Sequence, residues 1–324
     1  MSIDTGLPGL YFPVAADRWM EWRQPYLKNG TAGTYLTYIA GLDRFFRALR
    51  LEEITPGHMR EYQIHRSRNE GGFWAKAAGP SVVNHELNTL SQILDHAGLW
   101  EPMKKFYTPL KLPRWTPPRT MTQAEEDQLF AIAASNPDWE LAYLVASITN
   151  NTTASGVELR YLKISDVMLH TNPPQIHIAS DAVKNEFRGR RIPLNETALK
   201  QFERALMRAH RLGSTQQTHY LFPLRVHRGA YDPTRPASSS WLRKPFDELR
   251  KAAGLPWLRP HDLRHQAITR MLECGAPETS VMAIAGHVSR QMMEHYSHTR
   301  MDAKMEVLRA IEPQRFSPAL RRRA

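Results

Sequence analysis

Residue types that can act on phosphorus gather in one stretch, PHDLRHQAITRMLECGAPETSVMAIAGHVSRQMMEHYS, residues 260–297. His261, Arg264 and His265 open it, His287 follows a glycine, and Tyr296 comes nine residues after His287. A guanidinium offers a planar fork to phosphoryl oxygens, imidazoles donate further hydrogen bonds, and a phenol oxygen can attack phosphorus. Chemistry of this kind requires neither a metal nor a carboxylate pair. His261 and Arg264 lie one helical turn apart, and Leu263, Ile268, Met271 and Leu272 share a helical period, so one helix can aim both at one anion.

Blander readings of the same residues exist. His261 and His265 have the spacing of two zinc ligands, but the helical metalloprotease motif needs Glu after the first His, and Asp262 stands there. Tyr296 alone reads as a half-buried helix aromatic. Its register with Arg264 and His287 is what argues for chemistry. The first helix is expected to end at Gly275-Ala276-Pro277 and a second to run from Glu278 to Gly286. Cys274, the single cysteine, reads as a packing residue and cannot make an internal disulfide.

The elements that must position this stretch are mostly helical. Residues 1–14 read as a flexible arm, and the spacing predicts helices over 15–28 and 31–50, the latter with Tyr35, Tyr38, Ile39, Leu42, Phe45, Phe46 and Leu49 on one face. Thr55-Pro56 opens a third helix, and Ser81 caps a fourth that ends at Gly98. These four make an all-α unit over 15–107, whose basic residues, Arg47 and Arg66 among them, suit phosphate contacts or are simply solvated charge. Residues 108–120 contain four prolines without apolar period and read as a linker, in which Lys111, Arg114 and Arg119 could lie along a polyanion.

A second domain is expected over 121–316. Thr122 and Glu125 form a capping box, and a helix follows over 139–148. Another carries Val157, Leu159, Leu162 and Ile164 as packing residues. QIHIAS and RRIPL read as a small β-hairpin with Lys184 in its connection, and 198–211 is helical. Residues 216–236 read as a loop, 238–253 as a helix and 301–311 as a last amphipathic helix before a basic tail, 317–324.

With 324 residues, two domains are the default, and a net charge of +11 favours a polyanion such as nucleic acid as partner. No P-loop or Cys/His metal set occurs, so nucleotide, cofactor and metal are not expected. The start carries no signal-peptide pattern and no stretch approaches a membrane span, so a cytoplasmic location is expected.

The boxes HDLRH, then GH, then Tyr nine residues later, resemble the catalytic region of the tyrosine recombinases, the phage-integrase family. The resemblance implies a mainly α fold with a small β-hairpin or sheet: an N-terminal four-helix core-binding, SAM-like domain, and an α+β catalytic domain that together clamp a duplex. It implies DNA recombination or integration of mobile-element type. Tyr296 would form a 3′-phosphotyrosine, Arg264 bind the scissile phosphate, His261 act as acid or base, His287 hold a nonbridging oxygen, and Lys184 protonate the leaving 5′ oxygen. Arg188 and Arg190, beside Lys184, are further candidates for DNA contact. Double-stranded DNA is the implied partner, with a homotetramer assembling on it through the C-terminal helix.

One position departs from the family. An arginine there normally stands three residues before a glutamate at the start of a helix, as in a TGLRxGE-like run; here the run is TTASGVE, with Glu158 in place and Ser155 where the arginine belongs. A serine hydroxyl gives one neutral hydrogen bond, not a charged bidentate contact. One preorganised donor to a transition state is worth about 10²–10³ in rate. Three explanations stand: an impaired or inactive homologue that still binds DNA; an arginine supplied by Arg160, Arg188 or Arg190; or a deliberate or erroneous substitution. An active recombinase and a non-catalytic DNA-binding protein are therefore the two function classes.

Overall fold

The computed structural model describes residues 6–27, 29–69, 72, 74–114, 116, 118–179, 189–227 and 229–286. They form a mainly α protein with small antiparallel sheets, divided into two compact units, Met1–Trp115 and Thr116–Ala324. Among the described residues no helix is long and apolar enough to cross a membrane.

The first unit consists of α1 (Phe12–Arg23), α2 (Asn29–Phe46), α3 (Pro56–Arg68), α4 (Pro80–His96) and the short α5 (Glu101–Lys104). Its core joins Trp19, Leu42, Phe46, Met59, Tyr62, Leu87 and Leu94. Ile39, Leu42 and Phe46 of the expected α2 stripe are buried, with Tyr35 and Phe45 packed at their edge. The arm expected over residues 1–14 is corrected from Leu7 onward. Leu7 and Phe12 are core residues, and Tyr11 bridges to Arg50 in antiparallel fashion, because apolar side chains this close to a core are worth burying. Ser81 is not the cap of α4: Gly79 takes the N-cap position and Pro80 the first turn, where a missing N–H costs nothing.

Glu86 governs the middle of this unit. Its carboxylate, 3% exposed, accepts from Tyr62 Oη at 2.8 Å and from Arg66 Nε at 3.0 Å and Nη2 at 3.1 Å. A Cβ on Gly41 would lie 2.7 Å from Glu86 Oε1, so only glycine lets α2 approach this pair. Burial, and after it the neighbouring Glu86 charge, raise the Tyr62 phenol above its ordinary value and keep it a donor. Arg66, a candidate for DNA contact by sequence, is thereby committed to a buried carboxylate and to Lys76 O. Arg47 sits on the surface beside Asp43 at 3.3 Å, and Lys111, Arg114 and Arg119 are exposed.

In the second unit, α6 (Gln123–Ser135) starts from the Thr122/Glu125 capping box, with Glu125 N–H donating to Thr122 Oγ1 at 3.2 Å. α7 (Glu140–Thr152) is the central helix and packs against α6, against α9 (Glu196–Arg211) and against α11 (Pro260–Glu273). Between α7 and α9 lie α8 (Gly156–Arg160) and a three-stranded antiparallel sheet, β1 (Val167–Met168), β2 (Gln175–Ile178) and β3 (Arg190–Pro193), in which Ile176 pairs with both Val167 and Ile192. The expected hairpin is present, with β1 as an additional edge. Val157 is corrected to a surface residue, 60% exposed, because α8 lasts little more than one turn; Leu159 of it and Leu162 beyond are core residues, and Ile164 packs against them. Residues 216–236 are not one loop: β4 (Pro223–Arg225) and β5 (Tyr231–Pro236) form a second hairpin, whose prolines hid its strand pattern. α10 (Arg243–Ala252), α11 and α12 (Glu278–Ala285) complete the described fold. Cys274 is exposed at the end of α11, not packed.

Arg66→Met leaves Glu86 buried without its cation and is expected to cost the full-length protein about 3–5 kcal/mol in denaturant unfolding. Arg47→Met, at the exposed pair, is expected to leave the midpoint unchanged.

Candidate active site

Helix α11 starts after Arg259, whose backbone N–H donates to Asp262 Oδ2 at 2.8 Å and whose guanidinium returns to the same carboxylate at 2.7 Å. Asp262 is thus a capping residue, and among the described residues no cluster of three or more His, Cys, Asp or Glu could hold a metal. Farther along α11, Gln266 exchanges two hydrogen bonds with the Met121 backbone, at 2.7 and 3.1 Å. Arg270 Nη1 donates to Glu126 at 2.8 Å, and Asn150 joins the same carboxylate at 3.0 Å. Ile268 and Leu272 pack on Val281 and Ala285 of α12. The helix is therefore held on several sides, and its N-terminal side chains inherit that rigidity.

Arg264 points inward. Its Nη1 donates to Thr153 O at 2.6 Å and to Glu158 Oε2 at 3.3 Å, and its Nη2 donates to Ala285 O at 2.6 Å and Gly286 O at 3.3 Å. One guanidinium thus gathers the turn after α7, the start of α8 and the end of α12. The turns are shaped for it: Thr153 has φ of +63° and Gly286 also has φ of +63°.

Glu158, 2% exposed, lies at the centre. Ser155, N-cap of α8, donates from its backbone N–H at 2.7 Å and from Oγ at 2.9 Å to Glu158 Oε2, while Glu158 N–H returns to Ser155 Oγ at 3.4 Å. On the other oxygen, Arg190 Nη1 donates at 2.7 Å, and its Nε donates to Ile284 O at 2.7 Å. Burial alone would raise the Glu158 carboxyl, but hydrogen bonds and charge from Arg190, the Ser155 amide and Arg264 outweigh it, holding the group below the usual carboxylate range. It is ionised at neutral pH. Arg190, a DNA-contact candidate by sequence, turns its guanidinium inward onto Glu158, with its side chain 7% exposed.

His261 and His265 stand at the mouth of this cluster with ring centroids 4.8 Å apart and planes at 87°. Burial first, then Arg264, lowers the His261 imidazole; burial first, then His261, lowers His265 to about 4. Both are neutral at pH 7, and the first can accept a proton.

The structure therefore brings Ser155, Glu158, Arg190, Arg264 and His261 together. Arg160 is turned away, donating to Ala237 O and stacking on Tyr161. Arg119 pairs with Glu125 and covers Trp257 at 4.3 Å. Lys184, Arg188, His287 and Tyr296 lie outside the described residues, as does the helix expected over 301–311. The bridging position of Arg190 was the least legible feature: the short RRIPL strand placed it on a sheet, but nothing local indicated which way it faced.

The sequence pattern of the phage integrase family matches residues 119–303, more than half of the chain. The chain is 26% identical over 284 residues to tyrosine recombinase XerD of Shewanella oneidensis, covering 86% of this chain and 88% of that one. It is 25% identical over 199 residues to tyrosine recombinase XerC of Corynebacterium efficiens, covering 60% of this chain and 59% of the relative, less than two thirds of its length. Among solved structures, the Tn1549 transposon integrase in complex with a circular intermediate DNA has a TM-score of 0.71 at 16% identity, over 93% of this chain and 99% of that one. A lambda integrase tetramer bound to a Holliday junction has a TM-score of 0.63 at 18% identity, over 95% and 80%. These structural likenesses concern the fold.

His265 is neutral in the fold down to about pH 4 but binds a proton near its ordinary 6.5 once unfolded. Its contribution to stability is therefore complete above pH 6.5 and is lost as pH falls through that window, because the unfolded chain then binds more protons. Melting temperatures measured between pH 7 and 4 should fall, and His265→Gln should flatten the decline. Gly286→Ala should lower the melting temperature at every pH, since a Cβ there would meet Arg190 Nη1 at 2.9 Å on a backbone with φ of +63°.

Proposed function

The chain belongs to the phage integrase family, and from that premise we propose that it is a site-specific DNA recombinase or integrase that cleaves and rejoins DNA through a 3′-phosphotyrosine. The observation that carries this reading is the placement of Arg264. A buried, rigidly bonded guanidinium sits one turn after His261 and against the residues that lead into His287.

In this reaction Tyr296 Oη attacks the scissile phosphorus and passes its proton to His261, which is neutral and so available as a base. The bond from phosphorus to the 5′ oxygen breaks, and Lys184 supplies the proton to that leaving oxygen. The 3′-phosphotyrosine keeps the bond energy, and an incoming 5′-hydroxyl reverses the step on another strand. Arg264 and His287 hold the nonbridging oxygens, where negative charge grows toward the transition state.

Residues 15–107 would act as the core-binding domain and 121–316 as the catalytic domain, joined by 108–120, with 317–324 a basic tail. Exposed Lys111, Arg114 and Arg119 suit duplex phosphates. The partner would be double-stranded DNA, and four copies would assemble on it through the C-terminal helix, in keeping with the lambda integrase tetramer on a Holliday junction. The rival reading, a DNA-binding homologue without catalysis, is favoured by Ser155 alone.

Nicked duplexes from DNA flanking the gene, incubated with the protein and resolved under denaturing conditions, test the proposal. The unchanged chain is expected to give a covalent adduct and Tyr296→Phe none. An adduct from Ser155→Arg alone, with none from the unchanged chain, would make the DNA-binding reading the correct one. Strand exchange between two duplexes, as opposed to relaxation of supercoils only, identifies recombination.

A further inference from the structure

Residues 104–114, KKFYTPLKLPR, hold Lys104, Lys105, Lys111 and Arg114 and no carboxylate. From Tyr107 to Arg114 they form neither helix nor strand, yet they are fastened to the first unit. Gln63 Nε2 donates to Thr108 O at 2.9 Å, and Asn84 exchanges two hydrogen bonds with the Leu110 backbone, at 2.9 and 2.8 Å. Tyr107 meets Trp100 edge-on at 5.6 Å, and Tyr107 and Leu110 pack at the edge of the core.

Their neighbours are left outside. Phe106 is 66% exposed and Leu112 53%. The Phe106 ring has Lys105 Nζ as a companion at 4.8 Å. Among the described residues Lys111 and Arg114 are exposed and make no ion pair, while Lys104 stands 3.8 Å from Glu101.

A lone exposed phenylalanine is ordinary on a protein surface. Set among cations on a backbone already held, it has the composition of a surface for a nucleic-acid strand: cations for phosphates and a π face for a base. The ring separates single strands from duplex. Bases in a duplex stack on each other and show only their edges in the grooves, whereas an unpaired base offers its face. An acidic peptide would satisfy the cations but give the ring no base to stack on. Because Gln63 and Asn84 hold the backbone beforehand, little ordering entropy remains to be lost on binding.

We propose that residues 104–114 form a binding surface for an unpaired DNA strand, in which Phe106 stacks on a base and Lys105, Lys111 and Arg114 take the flanking phosphates. This assignment goes beyond the recombinase reading and stands without it.

The test measures binding of the full chain, by fluorescence anisotropy at fixed salt, to a labelled oligothymidylate of about fifteen nucleotides, a duplex of the same length and poly-glutamate. Phe106→Ala is expected to weaken the single strand about fivefold to a hundredfold, the worth of one stacked base, and the duplex by less than about twofold. Phe106→Trp should keep the affinity. Phe106→Leu, which retains an apolar side chain but not the π face, should lose it as alanine does. Lys111→Gln combined with Arg114→Gln should weaken both DNA forms and reduce their salt dependence. An oligothymidylate affinity unchanged in Phe106→Ala, or preserved in Phe106→Leu, overturns the proposal, even if the chain recombines DNA. So does an equal loss for duplex or for poly-glutamate, which would make the surface one for polyanions at large. Single-strand binding that depends on Phe106 in a chain giving no covalent adduct upholds the proposal and counts only against the recombinase reading.

Discussion

The second unit depends on the burial of one ionised carboxylate. Glu158 is almost fully withdrawn from water, and desolvation on its own would neutralise it. It remains charged because three elements send it donors: the amide and hydroxyl of Ser155 at the start of α8, Arg190 from β3, and Arg264 from α11. The two guanidiniums in turn collect the carbonyls of Thr153, Ile284, Ala285 and Gly286. Sheet, central helices and the end of α12 are thereby registered against each other by polar bonds, where apolar packing alone would tolerate small slips.

This arrangement holds Arg264 in one place without any ligand. Arg264 cannot wander, since both terminal nitrogens are bonded and α11 is anchored at Gln266 and Arg270. A cation fixed before the substrate arrives does not have to reorganise as charge develops on phosphorus. His261, one turn earlier, shares the rigidity and is kept neutral by burial and by the Arg264 charge. A single cluster therefore fixes the Arg264 guanidinium and lowers the His261 imidazole.

The first unit uses the same device for a different end. Glu86 is buried against Tyr62 and Arg66, with Gly41 allowing the close approach of α2. There the charges balance one to one, and Tyr62 adds a neutral donor, so the group braces helices. At Glu158 two arginines face one carboxylate. The two clusters thus differ in charge balance, one arginine to one carboxylate at Glu86 and two to one at Glu158.

Much was legible in the sequence because it is local. Helical period fixed the faces of α2, α4 and α11; Thr122 and Glu125 announced a cap; alternation marked β2 and β3; and the spacing of His261, Arg264, His287 and Tyr296 carried the family resemblance that the pattern match over 119–303 bears out. Where local signals conflicted, they misled: prolines concealed β5, a short helix exposed Val157, and the apolar residues Leu7 and Phe12 were counted as an arm. The roles of the arginines were not local at all. Arg66 and Arg190 carry the same charge pattern as surface cations, and only the fold turns them onto Glu86 and Glu158, the latter 32 residues from Arg190 and 106 from Arg264. Sequence determined the family and which segments are helical, since both follow from residue type, spacing and period. Tertiary structure alone decided which guanidiniums meet at Glu158, because a buried charge selects its partner by proximity in space, and no period in the chain encodes that.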